Sequence, residues 1–416
     1  MGVCSRVEEG RMPLAGFAPV DFAAFHREVL PPRLASSSLA ARVVAGFGSL
    51  ALRTRDGAAF TYAACDGQIG TVPGDASADT VIELDREDWQ GLVHDYEAAA
   101  GLLYANRVRC LRGDALKFAL WEPALRSLYT GIEVFDADAP LLRDERGAPL
   151  DPARTFRLGD DAGAMRHFLR TCGYLLVRGV FARREIDELL EEARQLASEA
   201  RPGDKLSWWS KDASGREVLC RVTRAAAKPR LASLQQDARV TGLAALAREG
   251  LVARKGEGNG VTVIFKNPGI REGLSDLPWH RDCGMGGHAL MCPAVIVSTY
   301  LTPANRDTGE LRFLPGSHVR TCGAFIDTAE SSAPSGVAFD AQPGDVSVHF
   351  GDVMHAAPPP RRTDLAGYRI SAIAGFGPPE FRAHRGASYS DPLHRRGDGQ
   401  VENLLDVAKQ TNETSR

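Results

Sequence analysis

Pro278-Trp279-His280-Arg281-Asp282 sets an imidazole and a carboxylate two residues apart, and a second imidazole follows downstream in Gly351-Asp352-Val353-Met354-His355. Two histidines and one carboxylate on one face of a metal leave its other positions open, the arrangement used by non-haem Fe(II) oxygenases. On a strand, His280 and Asp282 point the same way and reach one ion, while Arg281 points to the opposite face. The competing reading of the triplet alone is an ordinary His–Asp hydrogen bond at a strand edge, since a chain with 10 histidines holds such triplets by chance. The flanking sequence favours the metal. Residues 261–265 and 294–300 are β-branched apolar runs on either side of the triplet, and Gln342-Pro343-Gly344-Asp345 and Phe350-Gly351-Asp352 are turn signals ahead of His355. Residues 368–374 read as another strand, with Arg369 and Ser371 on one face. A guanidinium fork beside a hydroxyl suits the far carboxylate of a dicarboxylic acid. The competing reading of Arg369 is a salt-bridged surface arginine, which its place within an apolar strand disfavours because an unpaired buried guanidinium is costly.

Taken together, the triplet, then Thr308-Gly309-Glu310-Leu311-Arg312-Phe313-Leu314-Pro315-Gly316-Ser317-His318, the His355 stretch and Tyr368-Arg369-Ile370-Ser371 resemble the phytanoyl-CoA dioxygenase family over residues 155–385. The resemblance implies a double-stranded β-helix (jelly-roll) core that uses Fe(II), 2-oxoglutarate as co-substrate and O2. It implies iron ligands at His280, Asp282 and His355, with Arg369 and Ser371 holding the co-substrate. The co-substrate would be decarboxylated to succinate while a substrate C–H bond is hydroxylated or otherwise oxidised. Asp282 separates the chain from related halogenases, which lack that carboxylate. Two departures touch the geometry around the co-substrate: Ala357 stands where a small hydroxyl residue is common, and a proline-rich insert lengthens the interval from His355 to Arg369.

Other residues carry two readings each. Lys266 either reaches the co-substrate or the substrate, or ends its strand in solvent. His349 competes with His355 and reads as a core histidine or a neighbour of the ligands. His318 reads as a structural turn residue and Trp279 as pocket wall. Residues 256–260 are glycine-rich but precede a strand instead of joining strand to helix, so they read as a hairpin turn and not a phosphate loop. Residues 205–230 read as an excursion that forms a lid in the family. Their basic part, residues 221–230, is either a solvated face or a contact for an acidic group such as a coenzyme A phosphate.

With 416 residues and 44% hydrophobic content the chain has room for two or three domains with ample cores. A net charge of −3 implies no general attraction to nucleic acid or an anionic membrane. No apolar run approaches the roughly 20 residues of a membrane span, the N-terminus lacks a secretory pattern, and the 8 cysteines hold no C-x-x-C pair. That usage suits reduced thiols, hence a cytoplasmic location.

Residues 20–132 read as a separate α/β unit. A helix over residues 22–30 precedes strands at 48–53 and 60–65 around Asp56-Gly57, a strand at 79–84, a helix opening at Asp85, a strand at 107–112 and a helix at 116–129 that Pro123 should kink or restart. This order, with Arg112-Gly113-Asp114 before an apolar helix, resembles the sterol carrier protein 2-like domain, which implies an apolar interior for lipids. Residues 133–160 read as a linker, 161–390 as the oxygenase domain and 391–416 as a polar tail. The fold class expected is thus α+β: a jelly roll with flanking helices behind a small lipid-carrier-like α/β unit. The function expected is Fe(II)- and 2-oxoglutarate-dependent oxidation of a lipophilic small molecule such as an acyl thioester, terpenoid, sterol or polyketide. The alternatives are a lipid carrier with an idle oxygenase domain, or a metal-dependent oxygenase without 2-oxoglutarate. The oligomeric state is not legible.

Overall fold

The computed structural model describes residues 17–136, 142–254, 260–273, 275–282, 294–322, 336–379 and 398–414. In the N-terminal part, Leu50–Thr54 pairs antiparallel with Ala59–Cys65 and parallel with Thr80–Leu84. Val108–Arg112 closes one edge of this 5-stranded sheet. Gln68–Pro73, which the sequence reading passed over, closes the other, since its Gly70 and Pro73 mask the strand pattern. Gly113 is required where it stands. Its φ is +85°, and a Cβ there would lie 2.5 Å from the Asp79 carbonyl oxygen.

Leu116–Thr130 is one continuous helix with Pro123 inside it, so the expected restart does not occur. Nearly all of that helix is buried, and tertiary packing outweighs the local penalty of the proline. Trp89, Trp121, Phe22, Phe118 and Tyr62 are fully buried in this unit. A buried polar chain runs among them. The His26 Nδ1–H donates to the Phe22 carbonyl at 2.6 Å, which leaves Nε2 to accept from the Tyr62 hydroxyl, itself 2.7 Å from the Tyr129 hydroxyl.

Burial lowers the His26 pKa from 6.5 to about 4, and burial likewise lowers His318 to about 4. The unfolded chain therefore binds protons that the folded chain excludes as pH falls from 6.5 toward 4. Stability is full above 6.5 and falls across that window. Urea unfolding at pH 8 and pH 5 is expected to show a loss of about 2 kcal/mol per histidine. A flat profile over that range would contradict neutral burial.

The C-terminal part holds two sheets. The larger, 10-stranded sheet runs in the order Ile270–Glu272, Ser207–Asp212, Glu217–Val222, Val261–Phe265, Ile370–Gly377, Val295–Tyr300, Val346–Phe350, Tyr174–Arg178 and Phe156–Arg157, with Val252–Ala253 also paired to Ile370–Gly377. The smaller, 4-stranded sheet runs Leu277–His280, His355–Ala357, Arg312–Phe313 and Val337–Ala338. The two pack through side chains: Phe313 of the smaller sheet stacks on Tyr174 of the larger at 4.6 Å between ring centroids. Helix Arg183–Glu199 covers the outside with Ile186, Leu189, Leu190, Ala193 and Leu196, the apolar stripe its periodicity predicts.

Residues 205–230 are not an irregular excursion: Ser207–Asp212 and Glu217–Val222 make a hairpin that pairs with Val261–Phe265 of the larger sheet, with Trp208 and Val222 buried. Nor is the C-terminal segment only a polar tail. Leu404–Thr414 is a helix whose Leu404, Val407 and Ala408 join the core of the N-terminal unit, and its Asn412 side chain accepts the Ala115 N–H at 2.8 Å. Burying a leucine or valine contributes about 1.5–3 kcal/mol, enough to hold a short helix that is otherwise polar. The glycine-rich turn expected at residues 256–260 lies, apart from Gly260, outside the described residues. Among the described residues no helix is long and apolar enough to cross a membrane.

Candidate metal centre

His280 ends its strand, and His355 begins the strand paired with it, so the two residues face each other across the ladder. Their rings lie 4.1 Å apart between centroids. Asp282 sits in the turn just beyond His280 and not on the strand itself, and the turn brings its carboxylate between the two imidazoles. Its Oδ1 is 3.8 Å from His280 Nε2 and 3.7 Å from His355 Nε2. Donor atoms from the three residues all lie within 4.8 Å of one another.

The tautomers suit a metal. His280 Nδ1 lies 2.7 Å from the Pro278 carbonyl oxygen and His355 Nδ1 lies 3.0 Å from that of Val353. A carbonyl only accepts, so the proton sits on Nδ1 in both rings and each Nε2 turns a lone pair toward Asp282. Burial lowers the pKa of His355 to about 3 and lowers that of His280. The Asp282 carboxyl is held low by the neighbouring His355 and His349 against the opposing effect of burial. Two neutral imidazoles and an ionised carboxylate are the protonation states a divalent cation needs.

His349, on Val346–Phe350 of the larger sheet, places Nε2 3.6 Å from Asp282 Oδ2. It is thus a buried neighbour of the carboxylate on the side away from Oδ1. His318 stacks on Phe350 and bonds the Arg170 carbonyl, a structural turn residue. Trp279 packs against Leu314, Cys322 and Met354.

Arg369 precedes the strand Ile370–Gly377 and is 2% exposed. Among the described residues its Nε and Nη1 have no hydrogen-bond partner. Burial lowers its pKa, while Tyr300, Asp276 and Glu310 oppose that shift. Ser371 is buried on the same strand.

Lys266 is not a solvated strand end. It is 3% exposed, and its ammonium donates to the Asp276 carboxylate and, at 2.7 Å, to the carbonyl of Ala357, two residues past His355. Burial pulls its pKa down to about 8. Its backbone N–H donates to the Arg369 carbonyl, so Lys266 ties the strand of the distal histidine to the start of the arginine strand. Gly309 makes room for it: at φ +101°, a Cβ would stand 2.5 Å from the Lys266 side chain. Gly309→Ala is expected to cost about 1–3 kcal/mol from backbone strain, read as a lower urea midpoint, and to weaken Lys266 packing further. An unchanged midpoint would mean that neither the strain nor the contact matters.

Residues 169–364 match the family model described as phytanoyl-CoA dioxygenase. The match holds the entire triad and Lys266 and ends just short of Arg369. No curated protein matches the chain. Among solved structures, AviO1 from Streptomyces viridochromogenes Tue57 is similar at 23% identity and TM-score 0.42, covering 54% of this chain and 98% of its own. The epimerase SnoN, in complex with Fe3+, alpha-ketoglutarate and nogalamycin RO, is similar at 20% identity and TM-score 0.42, covering 54% and 87%. HygX from Streptomyces hygroscopicus, with nickel and 2-oxoglutarate bound, is similar at 20% identity and TM-score 0.40, covering 58% and 97%. With the triad inside the matched segment, the protein is an enzyme of the oxygenase type that works with iron and 2-oxoglutarate.

Some residues that bear on the site escaped the sequence reading. Asp276 fixes Lys266, and Asp352 with the distant Glu122 fixes Arg281. Glu122 did carry a signal, being a carboxylate within the apolar run Ala119-Leu120-Trp121 to Ala124-Leu125.

Proposed function

We propose that the protein hydroxylates, or otherwise oxidises, a C–H bond of a small molecule, with Fe(II) held by His280, Asp282 and His355 and with 2-oxoglutarate anchored by Arg369. The observation that carries the co-substrate is the buried Arg369 guanidinium, whose Nε and Nη1 are without partners among the described residues. A charge left so is costly, and a carboxylate from a ligand would satisfy it bidentately. Bound iron supplies oxygen activation coupled to decarboxylation of the keto acid. The chain's own part is to present two neutral Nε2 donors and one carboxylate, to orient the co-substrate through Arg369 and Ser371, and to keep water out with the buried walls around them. The ammonium of Lys266, engaged by Asp276 and Ala357, holds that wall and leaves the far carboxylate to Arg369.

The substrate proposed is lipophilic. Its support is the N-terminal sequence pattern, while the described interior of that unit is filled by its own aromatic side chains. Titration with a fluorescent acyl probe tests that part: saturable binding supports it and its absence removes it. The main reading is tested by anaerobic absorbance titration. Fe(II) is added to metal-free protein and then 2-oxoglutarate, and the weak visible charge-transfer band of a chelated keto acid is expected. Bound iron without the band would favour an oxygenase that does not use 2-oxoglutarate, and no bound iron would favour an idle domain.

A further inference from the structure

Arg281, between the two proximal ligands, is 2% exposed and turns away from them. Its Nη1 lies 3.1 Å from Asp352 Oδ1 and its Nη2 lies 3.1 Å from Glu122 Oε1. Asp352 belongs to the turn that leads into His355. Glu122 belongs to the long helix Leu116–Thr130 of the N-terminal unit, far away in sequence. Beside it Arg126 grips Asp95 with two hydrogen bonds of 2.6 and 2.8 Å, so two guanidiniums and three carboxylates share one buried cluster. The surroundings are also joined. Leu277, at the start of the His280 strand, packs on the core of the N-terminal unit, as do Trp208 and Cys220 of the oxygenase hairpin. The Thr321 hydroxyl donates to the Pro123 carbonyl at 2.8 Å.

Consecutive residues share peptide planes, so fixing the Arg281 side chain fixes the backbone that aims His280 and Asp282. Through Asp352 the same guanidinium reaches the approach to His355. We propose that Glu122 is a positioning residue for the metal triad: by holding Arg281, the N-terminal unit completes the iron site of the oxygenase. This rests on the reading of His280, Asp282 and His355 as a metal site. It makes the N-terminal unit part of the catalytic machine and not merely a tethered carrier.

Co(II), whose visible d–d bands report ligand geometry, is titrated into the full metal-free chain under argon. Four proteins are compared with wild type: Glu122→Gln, Arg281→Met, the double variant, and Thr321→Val, which removes a different hydrogen bond at the same junction. Outer partners that orient ligands are worth about 10–100-fold in metal affinity. Glu122→Gln is expected to lose that much and to shift the d–d bands. Arg281→Met should do the same, and the double variant should be no worse than Arg281→Met alone, the signature of two residues acting through one contact. Thr321→Val should keep wild-type affinity and bands. If circular dichroism shows that Glu122→Gln does not fold, Glu122→Asp replaces it, one methylene short of the guanidinium, with a smaller loss in the same direction. Unchanged affinity and bands in the Glu122 variant, or losses that simply add in the double variant, would overturn the proposal while leaving the metal site standing. A wild-type chain that binds no Co(II) would overturn the metal site and the proposal together.

Discussion

Asp282→Ala is expected to abolish turnover and to weaken metal binding by on the order of 10²–10³-fold, since truncating one partner of a close charge pair, here carboxylate and metal, costs about 2–5 kcal/mol of binding. The carboxylate is the one anion among the three donors and lies within 3.8 Å of both Nε2 atoms. Without it, two neutral imidazoles face a dication with nothing to offset its charge. Isothermal titration with Co(II), beside Fe(II)-dependent succinate formation, measures both effects. The fold should survive, since Asp282 lies in a turn and is 33% exposed, unlike the buried strand residues around it. Retained metal affinity in a folded Asp282→Ala protein would remove Asp282 from the ligand set and move attention to His349, whose Nε2 is 3.6 Å from the same carboxylate.

Arg369→Ala is expected to raise the Kd for 2-oxoglutarate by on the order of 10²-fold, with metal affinity unchanged. Truncating one side of a buried charged hydrogen-bonded pair costs about 2–5 kcal/mol, and Arg369 brings a guanidinium with two donors, Nε and Nη1, unmatched among the described residues. The variant should also be no less stable than wild type without co-substrate, because it relieves a buried guanidinium whose Nε and Nη1 have no hydrogen-bond partner among the described residues. That pairing of outcomes is diagnostic. A structural ion pair would give the reverse, lower stability and unchanged co-substrate affinity. Lys266→Met is the contrasting case: its ammonium is already engaged by Asp276 and Ala357.

Most strands and long helices of the chain were legible because their signal is local. The β-branched runs at Val261–Phe265 and Val295–Tyr300 and the apolar stripe of Arg183–Glu199 carry their own periodicity. Elements that depend on a distant surface were missed or misread. Leu404–Thr414 is too short and polar to declare itself and becomes a helix where the N-terminal unit covers Leu404 and Val407. The hairpin of Ser207–Asp212 and Glu217–Val222, with its two tryptophans among charges, looked like an excursion until the larger sheet supplied its neighbour. Pro123 predicted a break that burial of its helix overrode.

By itself the sequence singled out the candidates for the chemistry, the His280, Asp282 and His355 set and the arginine at 369, and the strands next to them. Residue type, short-range spacing and the order of the flanking apolar runs hold that information, because they are local properties of the chain. Only the tertiary structure decided how those residues are held. It set Asp282 in a turn beyond the strand, aimed both Nε2 atoms by locking each Nδ1 on a carbonyl, buried Lys266 between Asp276 and Ala357, and joined Arg281 to Glu122. These contacts span many residues of chain and depend on charges finding partners in a low-dielectric interior, which no local pattern encodes.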